Sequence, residues 1–379
     1  MAGRPSPATG WDTCTAEFER LAAQVGGIGC RSHPFVTVRS PLSLDNASLA
    51  VIELLLVAGA AAGLAHAIRS RRRTGELGGL VVWCSGVLCL LLIEPIAYFP
   101  QWFGLERSLG LTFVHNQFSV QFLYDRLPLY IVAMYPAFAY PAYLLVQHAG
   151  VASRRGGAVL GAACTAFVFH CFYEVIDQVG PQLGWWVWNY DAPSGLPRFG
   201  AVPYLNLQAF AIGIPFGIAL LTPLVARLRP RWGPVRRVLA VSFGTWPVLF
   251  LSSLPSVVID LAGGSVAFAR ITGTWLLVAA TGLAAAWALS RPGLRPSGAD
   301  AARFLLVSGG VYLAVAAAIW AYALPGYLGA RHGLTSGGLP TGVPGYAAGC
   351  AVICVLMLAS VLVPRRAGAV PPDRRDPVR

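Results

Sequence analysis

Nine segments of roughly twenty mostly apolar residues recur along this chain, at about 49–68, 77–99, 127–147, 157–178, 204–226, 238–261, 272–290, 303–323 and 345–363. Each is long enough to cross the hydrocarbon core of a bilayer as a helix, the one open-ended structure that satisfies its own backbone in lipid. The charged content of 12% lies far below the roughly 25% of soluble domains, and 56% of the residues are hydrophobic. The sequence therefore predicts an all-α, polytopic transmembrane helical bundle with about nine spans, a multi-pass protein of a cell membrane.

Arginine placement orients the bundle. All 28 basic residues are arginine, and the loops after the first, third, fifth and seventh segments read RSRRRTGE, HAGVASRRGG, RLRPRWGPVRR and SRPGLRPSGADAAR. Arg365 and Arg366 follow the ninth segment, whereas loops 100–126, 179–203, 262–271 and 324–344 hold isolated arginines and many aromatics. Basic loops stay on the cytoplasmic side, so the N-terminus is expected outside and the C-terminus inside. The net charge of +12 is then an orientation signal, and no nucleic-acid partner is expected. Residues 1–48 read as a polar extracytoplasmic tail, 49–363 as the helical domain and 364–379 as a disordered cytoplasmic tail. The first 48 residues lack the charged-then-apolar pattern of a secretory signal, so the first apolar segment is expected to be retained.

The cysteines divide by location. Cys84, Cys89, Cys164, Cys171, Cys350 and Cys354 lie within apolar segments, where small apolar packing is their expected role. Cys14 and Cys30 lie in the external tail, where a disulfide between them is expected.

Ionisable side chains at membrane depth cost about 2.5–3.5 kcal/mol each on insertion scales, which marks them as candidates for function. Glu53, Glu94, Glu174, Asp177 and Asp260 all fall towards the outer side, with His170 one turn deeper. His66 and His148 fall near inner ends and read as interfacial. Five acids on one side predict a shared polar vestibule, covered by loops 100–126 and 179–203. Those loops carry Trp102, His115, Asp125 and Arg126, and then Trp185, Trp186, Trp188 and Tyr190.

His170, Glu174 and Asp177 stand at i, i+4 and i+7, one helix face spanning about 10 Å. The spacing admits a structural pairing or acid–base chemistry. It argues against a buried transition metal, because the chain has no HxxxH, HExxH or CxxC partner, and nothing calls for a cofactor. A carboxyl group in apolar surroundings can hold a proton and deliver it. Aromatic faces beside such an acid suit the protonation of an alkene to a tertiary carbocation, and membrane-dissolved isoprenoids supply such alkenes.

The order Asp177, then Gly184, Trp186 and Trp188, then Phe199-Gly200-Ala201-Val202-Pro203 and Asn206 resembles the signature of the CruF-type carotenoid biosynthesis membrane proteins. In those proteins an LDP motif closes one helix, a G-x-W-x-W loop follows and an FGVPxxN segment opens the next. The run LPLYIVAMYPAFAYPAYLLV at 127–146 is similar to their preceding span, and Glu94 falls where they place an acid at a helix end. The resemblance covers about residues 85–225. It differs at Ile176-Asp177-Gln178, which stands for LDP, and in the extra Ala201. Family members hydrate the terminal double bond of a carotenoid, so the resemblance implies a membrane-lipid or isoprenoid substrate.

The expected activity is proton-initiated hydration or cyclisation, as in a hydratase or a terpenoid cyclase. Glu174 or Asp177 would donate the proton, and the other carboxylate, or Glu94, would place water. Trp186, Trp188 and Tyr190 would stabilise the cation, with His115 beside the substrate. Asn206 and His170 would orient the acids, and Arg126 would keep one carboxylate ionised. Two other classes fit the same features: a proton-coupled transporter, and a structural or accessory membrane protein.

Overall fold

The computed structural model describes residues 13–26, 28–30, 32–40, 46–151, 156–290 and 298–362. The arginine-bearing loop positions 154, 155, 291 and 295, and the tail expected at 364–379, lie outside the described residues. Among the described residues, nine helices are long and apolar enough to cross a membrane: Ala47–Thr74, Gly78–Tyr98, Leu129–His148, Gly157–Asp177, Tyr204–Leu228, Pro234–Leu261, Val266–Leu289, Ala299–Leu328 and Pro344–Leu362. The protein is an all-α polytopic bundle, and these nine spans coincide with the nine apolar segments.

The fourth span is the axis of the bundle. In its most apolar window 78% of residues are buried, against 17% for the sixth span and 28% for the seventh and eighth. It packs against the third, fifth, seventh and ninth spans. In lipid the spans associate through close packing rather than through exclusion of water, which favours small residues at their contacts. Gly213 and Gly217 of the fifth span meet the sixth span in this way. A Cβ on Gly217 would lie 2.8 Å from Thr245 Cγ2, and one on Gly213 would lie 2.8 Å from Ser252 Oγ.

The fifth span is not a regular α-helix. Residues Leu207–Gly213 form a π-helical turn between Tyr204–Asn206 and Ile214–Leu228. Pro215 lacks the N–H that a regular helix would supply to the carbonyl of Ala211, and widening the turn relieves that mismatch. The widened turn follows Asn206, which bonds to Asp177 in the site described below, and contains Gln208, which bonds to the sixth span.

A folded cap covers the end of the bundle that holds Tyr98 and Asp177. Among the described residues it contains seven short strands: β1 (Val36–Val38), β2 (Phe113–His115), β3 (Val120–Phe122), β4 (Leu127–Pro128), β5 (Trp186–Trp188), β6 (Arg198–Phe199) and β7 (Val202–Pro203). β1, β3 and β4 form one antiparallel sheet, β2 pairs with β5, and β6 pairs with β7. The described residues between 13 and 40, expected as part of an N-terminal tail, belong to this cap. A short helix, Ala16–Ala22, is capped by Thr15, whose side chain accepts from the Phe18 N–H at 3.2 Å. Cys14 and Cys30 are joined by a disulfide. Phe18 and Leu21 are buried against Val114 of β2 and Val187 of β5.

Arg126 locks this arrangement, and that differs from its expected place beside a carboxylate. Its guanidinium donates to the Tyr98 carbonyl at 2.8 Å and to the Thr13 carbonyl, with its Cζ 3.8 Å from the Phe18 ring centroid and 5.0 Å from that of Phe99. A guanidinium satisfies carbonyls and stacks on aromatic faces at once, so it staples the N-terminal segment to the end of the second span.

Exposed positions make the orientation testable. A cysteine replacing exposed Asp191 in the cap should react with a membrane-impermeant thiol reagent added outside intact cells. One replacing exposed Arg231, between the fifth and sixth spans, should react only after permeabilisation. The opposite labelling pattern would reverse the orientation.

Candidate functional site

The fourth span ends in the most polar buried cluster of the bundle. His170, Glu174, Asp177 and Gln178 are all essentially inaccessible to solvent. Their spacing places them on one side of the last two helical turns, where the final carbonyls of a helix also need donors.

Each of these side chains is tied to a neighbour. Gln178 Nε2 donates to Glu174 Oε2 at 3.0 Å, and Gln178 Oε1 accepts from the Val343 N–H at 3.1 Å. Asn206 Nδ2 donates to Asp177 Oδ2 at 2.9 Å. His170 Nε2 is bonded to the Tyr346 hydroxyl at 2.6 Å. The remaining oxygens, Glu174 Oε1 and Asp177 Oδ1, have no hydrogen-bond partner, and neither has His170 Nδ1. His170 Nδ1 and Glu174 Oε1 stand 4.0 Å apart, beyond direct hydrogen-bonding distance.

A third carboxyl group belongs to the cluster. Glu94 of the second span is buried with Oε2 unpartnered, and the Tyr173 side chain stands within electrostatic reach of Glu94, Glu174 and Asp177 together. Tyr98 and Tyr135 flank Glu94. Among the described residues, no arginine forms an ion pair with any of the three carboxyl groups. Without a cation, the cluster is held by amides and phenols alone.

The last spans complete the walls. Tyr346 of the ninth span holds His170, and Tyr312 of the eighth donates to the Phe172 carbonyl at 2.5 Å. Trp320 Nε1 donates to the Val175 carbonyl at 2.7 Å, supplying one of the terminal helix acceptors. Gln208 Nε2 donates to the Ser252 carbonyl at 2.8 Å, and its Oε1 accepts from Ser256 at 3.3 Å, which ties the π-turn to the sixth span. Two glycines let the surrounding loops close on Gln178. A Cβ on Gly342 would lie 1.9 Å from the Gln178 carbonyl oxygen, and one on Gly200, at φ +61°, would lie 2.9 Å from Gln178 Oε1.

The tryptophan loop roofs the cluster. Trp186 is buried with its Nε1 unpartnered, and it lies so close to Gly180 that a Cβ there would be 2.3 Å from Trp186 Cζ2. Trp188 is in edge contact with Trp186, with ring centroids 6.4 Å apart, and Tyr190 follows at 6.3 Å. The Tyr190 hydroxyl donates to the Ala201 carbonyl at 2.9 Å, and this phenol lies within electrostatic reach of Asp177. Trp185 has a structural role, donating from Nε1 to Ser48 Oγ at 2.9 Å.

Three sequence expectations need revision. The acids do not share one open vestibule, because Glu174 and Asp177 are sealed beneath the cap. Glu53 is bonded to Ser119 at the edge of the β1–β3–β4 sheet, and Asp260 is exposed at the end of the sixth span. Arg126 serves the cap, as described above. His115 belongs to the roof and contacts no carboxyl group directly. Its Nδ1 is bonded to the Tyr98 hydroxyl at 2.9 Å, and Tyr98 adjoins Glu94. Gln178, Tyr173, Tyr346 and Gln208 were not singled out from the sequence. Only Gln178 carried a signal, standing where the resembling motif has proline.

Comparison with protein-family models, with curated proteins and with solved structures finds no match to this chain.

His115 gives the roof a pH dependence. Its half-buried ring is walled by Phe113, Tyr130 and Trp186, and desolvation pushes it down to about 3. In the unfolded chain a histidine takes its proton near 6.5. The unfolded form therefore binds more protons between these values, so the stability from neutral His115 is complete above about pH 6.5 and is lost as pH falls towards 3. Protection of the β2–β5 amides, taken as exchange relative to the intrinsic chemical rate at each pH, should fall as pH falls across that window, and His115→Gln should flatten the dependence. An unchanged pH profile in the variant would place the sensitivity elsewhere.

Proposed function

We propose that this chain is a membrane enzyme that delivers a proton to an alkene of a membrane-dissolved isoprenoid or similar lipid, completing the reaction as hydration or cyclisation. The observation that carries the reading is the cluster itself: Glu94, Glu174 and Asp177, each buried with an unpartnered oxygen and, among the described residues, with no arginine paired to it, while Trp186 packs on Gly180 just past Asp177 and Tyr190, reached through Trp188, stands within electrostatic reach of Asp177. A buried acid with no cationic partner is suited to giving up and regaining a proton, and aromatic faces favour positive charge that develops beside them.

In the proposed step, the carboxyl O–H of Glu174 or Asp177 transfers its proton to the less substituted alkene carbon. A C–H bond forms from the π electrons, and a tertiary cation and a carboxylate remain. In hydration, water attacks the cation and its proton passes to a carboxylate, for a net addition of one water molecule. In cyclisation, a second alkene forms the new C–C bond, and loss of a proton to a carboxylate ends the sequence with no net change in formula. His170, fixed through Tyr346, sits beside Glu174, and Asn206 fixes Asp177. Glu94 would serve as the second base. The resemblance to CruF-type proteins supports the same chemistry, and the three carboxyl groups lie near one membrane face rather than along a path across it, which weighs against proton-coupled transport.

Expression in a host that accumulates acyclic carotenoids or other polyprenyl lipids should yield a new chromatographic product. Glu174→Gln and Asp177→Asn should each lower its formation by about 100-fold or more, as expected for loss of a general acid, while protein levels stay the same. An unchanged lipid profile across several isoprenoid backgrounds would refute the reading. A pH-gradient-dependent flux in vesicles would replace it with transport.

A further inference from the structure

Away from the carboxyl cluster, a groove of about 680 Å³ opens between the first, third and eighth spans. That volume lies within the usual range of ligand sites, about 300–1,000 Å³. Small residues carve it: Gly59, Ala62 and Ala65 on the first span face Ser308 and Gly309 on the eighth. Several of its wall residues, including Ala62 and Val311, are exposed to the membrane side of the bundle. Leu55 and Arg69 both line it and are fourteen residues apart, about 21 Å of helix. The groove thus runs along most of one leaflet.

Its two ends differ chemically. At the cytoplasmic end stand Arg69 and Arg303, both exposed and without an ion pair among the described residues. The acid at this mouth, Asp300, is already paired with Arg73. His66 lies just inside, bonded to the Tyr140 hydroxyl at 2.6 Å and stacked on Phe304 with ring centroids 4.6 Å apart. The other end is apolar and aromatic, closed by Phe138, Phe172 and Tyr312. Tyr312 also lies within electrostatic reach of Glu174 and Asp177.

We infer that this groove binds one membrane lipid with a phosphate head and an apolar chain. The phosphate sits between Arg69 and Arg303, and the chain runs towards Tyr312. Charge complementarity selects the occupant: two unpaired guanidiniums at the level of the cytoplasmic headgroups match a phosphate and have nothing to gain from an uncharged lipid. The chain below them lies against a mainly apolar wall whose polar side chains are His66, Ser308 and Tyr312. The inference does not rest on the proposed reaction, since the groove and the carboxyl cluster are separated by Phe172 and Tyr312.

The test uses the full chain in uncharged detergent micelles with a phosphatidic acid carrying a photoreactive group in its acyl chain. The uncharged diacylglycerol with the same chains is the control. Cross-links should concentrate on peptides from 55–69 and 303–312. They should fall about tenfold or more in the Arg69→Gln/Arg303→Gln variant, because both charge-assisted contacts to the phosphate are lost. They should fall similarly in Ala62→Trp, which fills the groove from an exposed position and leaves both arginines in place, and diacylglycerol should label the groove weakly. Labelling spread evenly around the apolar belt would overturn the inference. So would loss in the arginine variant with full labelling in Ala62→Trp, because that pattern places the lipid on the basic surface and outside the groove. A melting temperature unchanged between variants without lipid separates these outcomes from misfolding.

Discussion

Three buried carboxyl groups with no cation paired to them among the described residues are the constraint around which this bundle is built. Transfer of such groups out of water is costly unless donors replace the lost solvent. Here the donors are neutral. Gln178 serves Glu174, Asn206 serves Asp177, and phenols from Tyr173, Tyr312 and Tyr346 surround them. These residues come from the fourth, fifth, eighth and ninth spans, so the cluster exists only when remote parts of the chain have assembled. That explains the close approach at Gly200 and Gly342, where any side chain would push the surrounding loops off Gln178. It also explains the heavy burial of the fourth span, which no neighbouring pair of helices could achieve alone.

The spans were legible because hydropathy is a local property. The fourth-span acids were legible for the same reason: a charge within an apolar run stands out against its neighbours. The cap was not legible, because its strands are two or three residues long and pair across wide sequence gaps, as β2 does with β5. Arg126 looked available to a carboxylate because it is an isolated cation in an outer loop. Its actual partners are carbonyls and rings that the sequence does not bring near it. Asp260 and Glu53 looked alike as acids near the outer face, yet one is exposed and the other is bonded at the cap edge. Helical wheel position and depth do not distinguish these cases; neighbours on other elements do.

The final spans had no evident role from sequence, since Tyr312, Trp320 and Tyr346 read as ordinary membrane aromatics. In the fold they supply the wall and two of the backbone contacts at the acid-bearing turn. Tyr312 has a further position, with one side in the lateral groove and the other towards Glu174 and Asp177. A lipid-facing groove and a sealed acid cluster that share an aromatic partition form an arrangement suited to a substrate drawn from the bilayer rather than from water. The π-turn of the fifth span fits the same picture, since it aims Asn206 at Asp177 and holds Gln208 against the sixth span.

The central claim is that a carboxyl proton of this cluster is added to carbon. Conversion carried out in deuterated water tests it most directly. The account predicts a product bearing one non-exchangeable deuterium on the carbon beside the former cationic centre, absent when Glu174→Gln or Asp177→Asn replaces the native chain. A product formed in deuterated water without deuterium on carbon would contradict it.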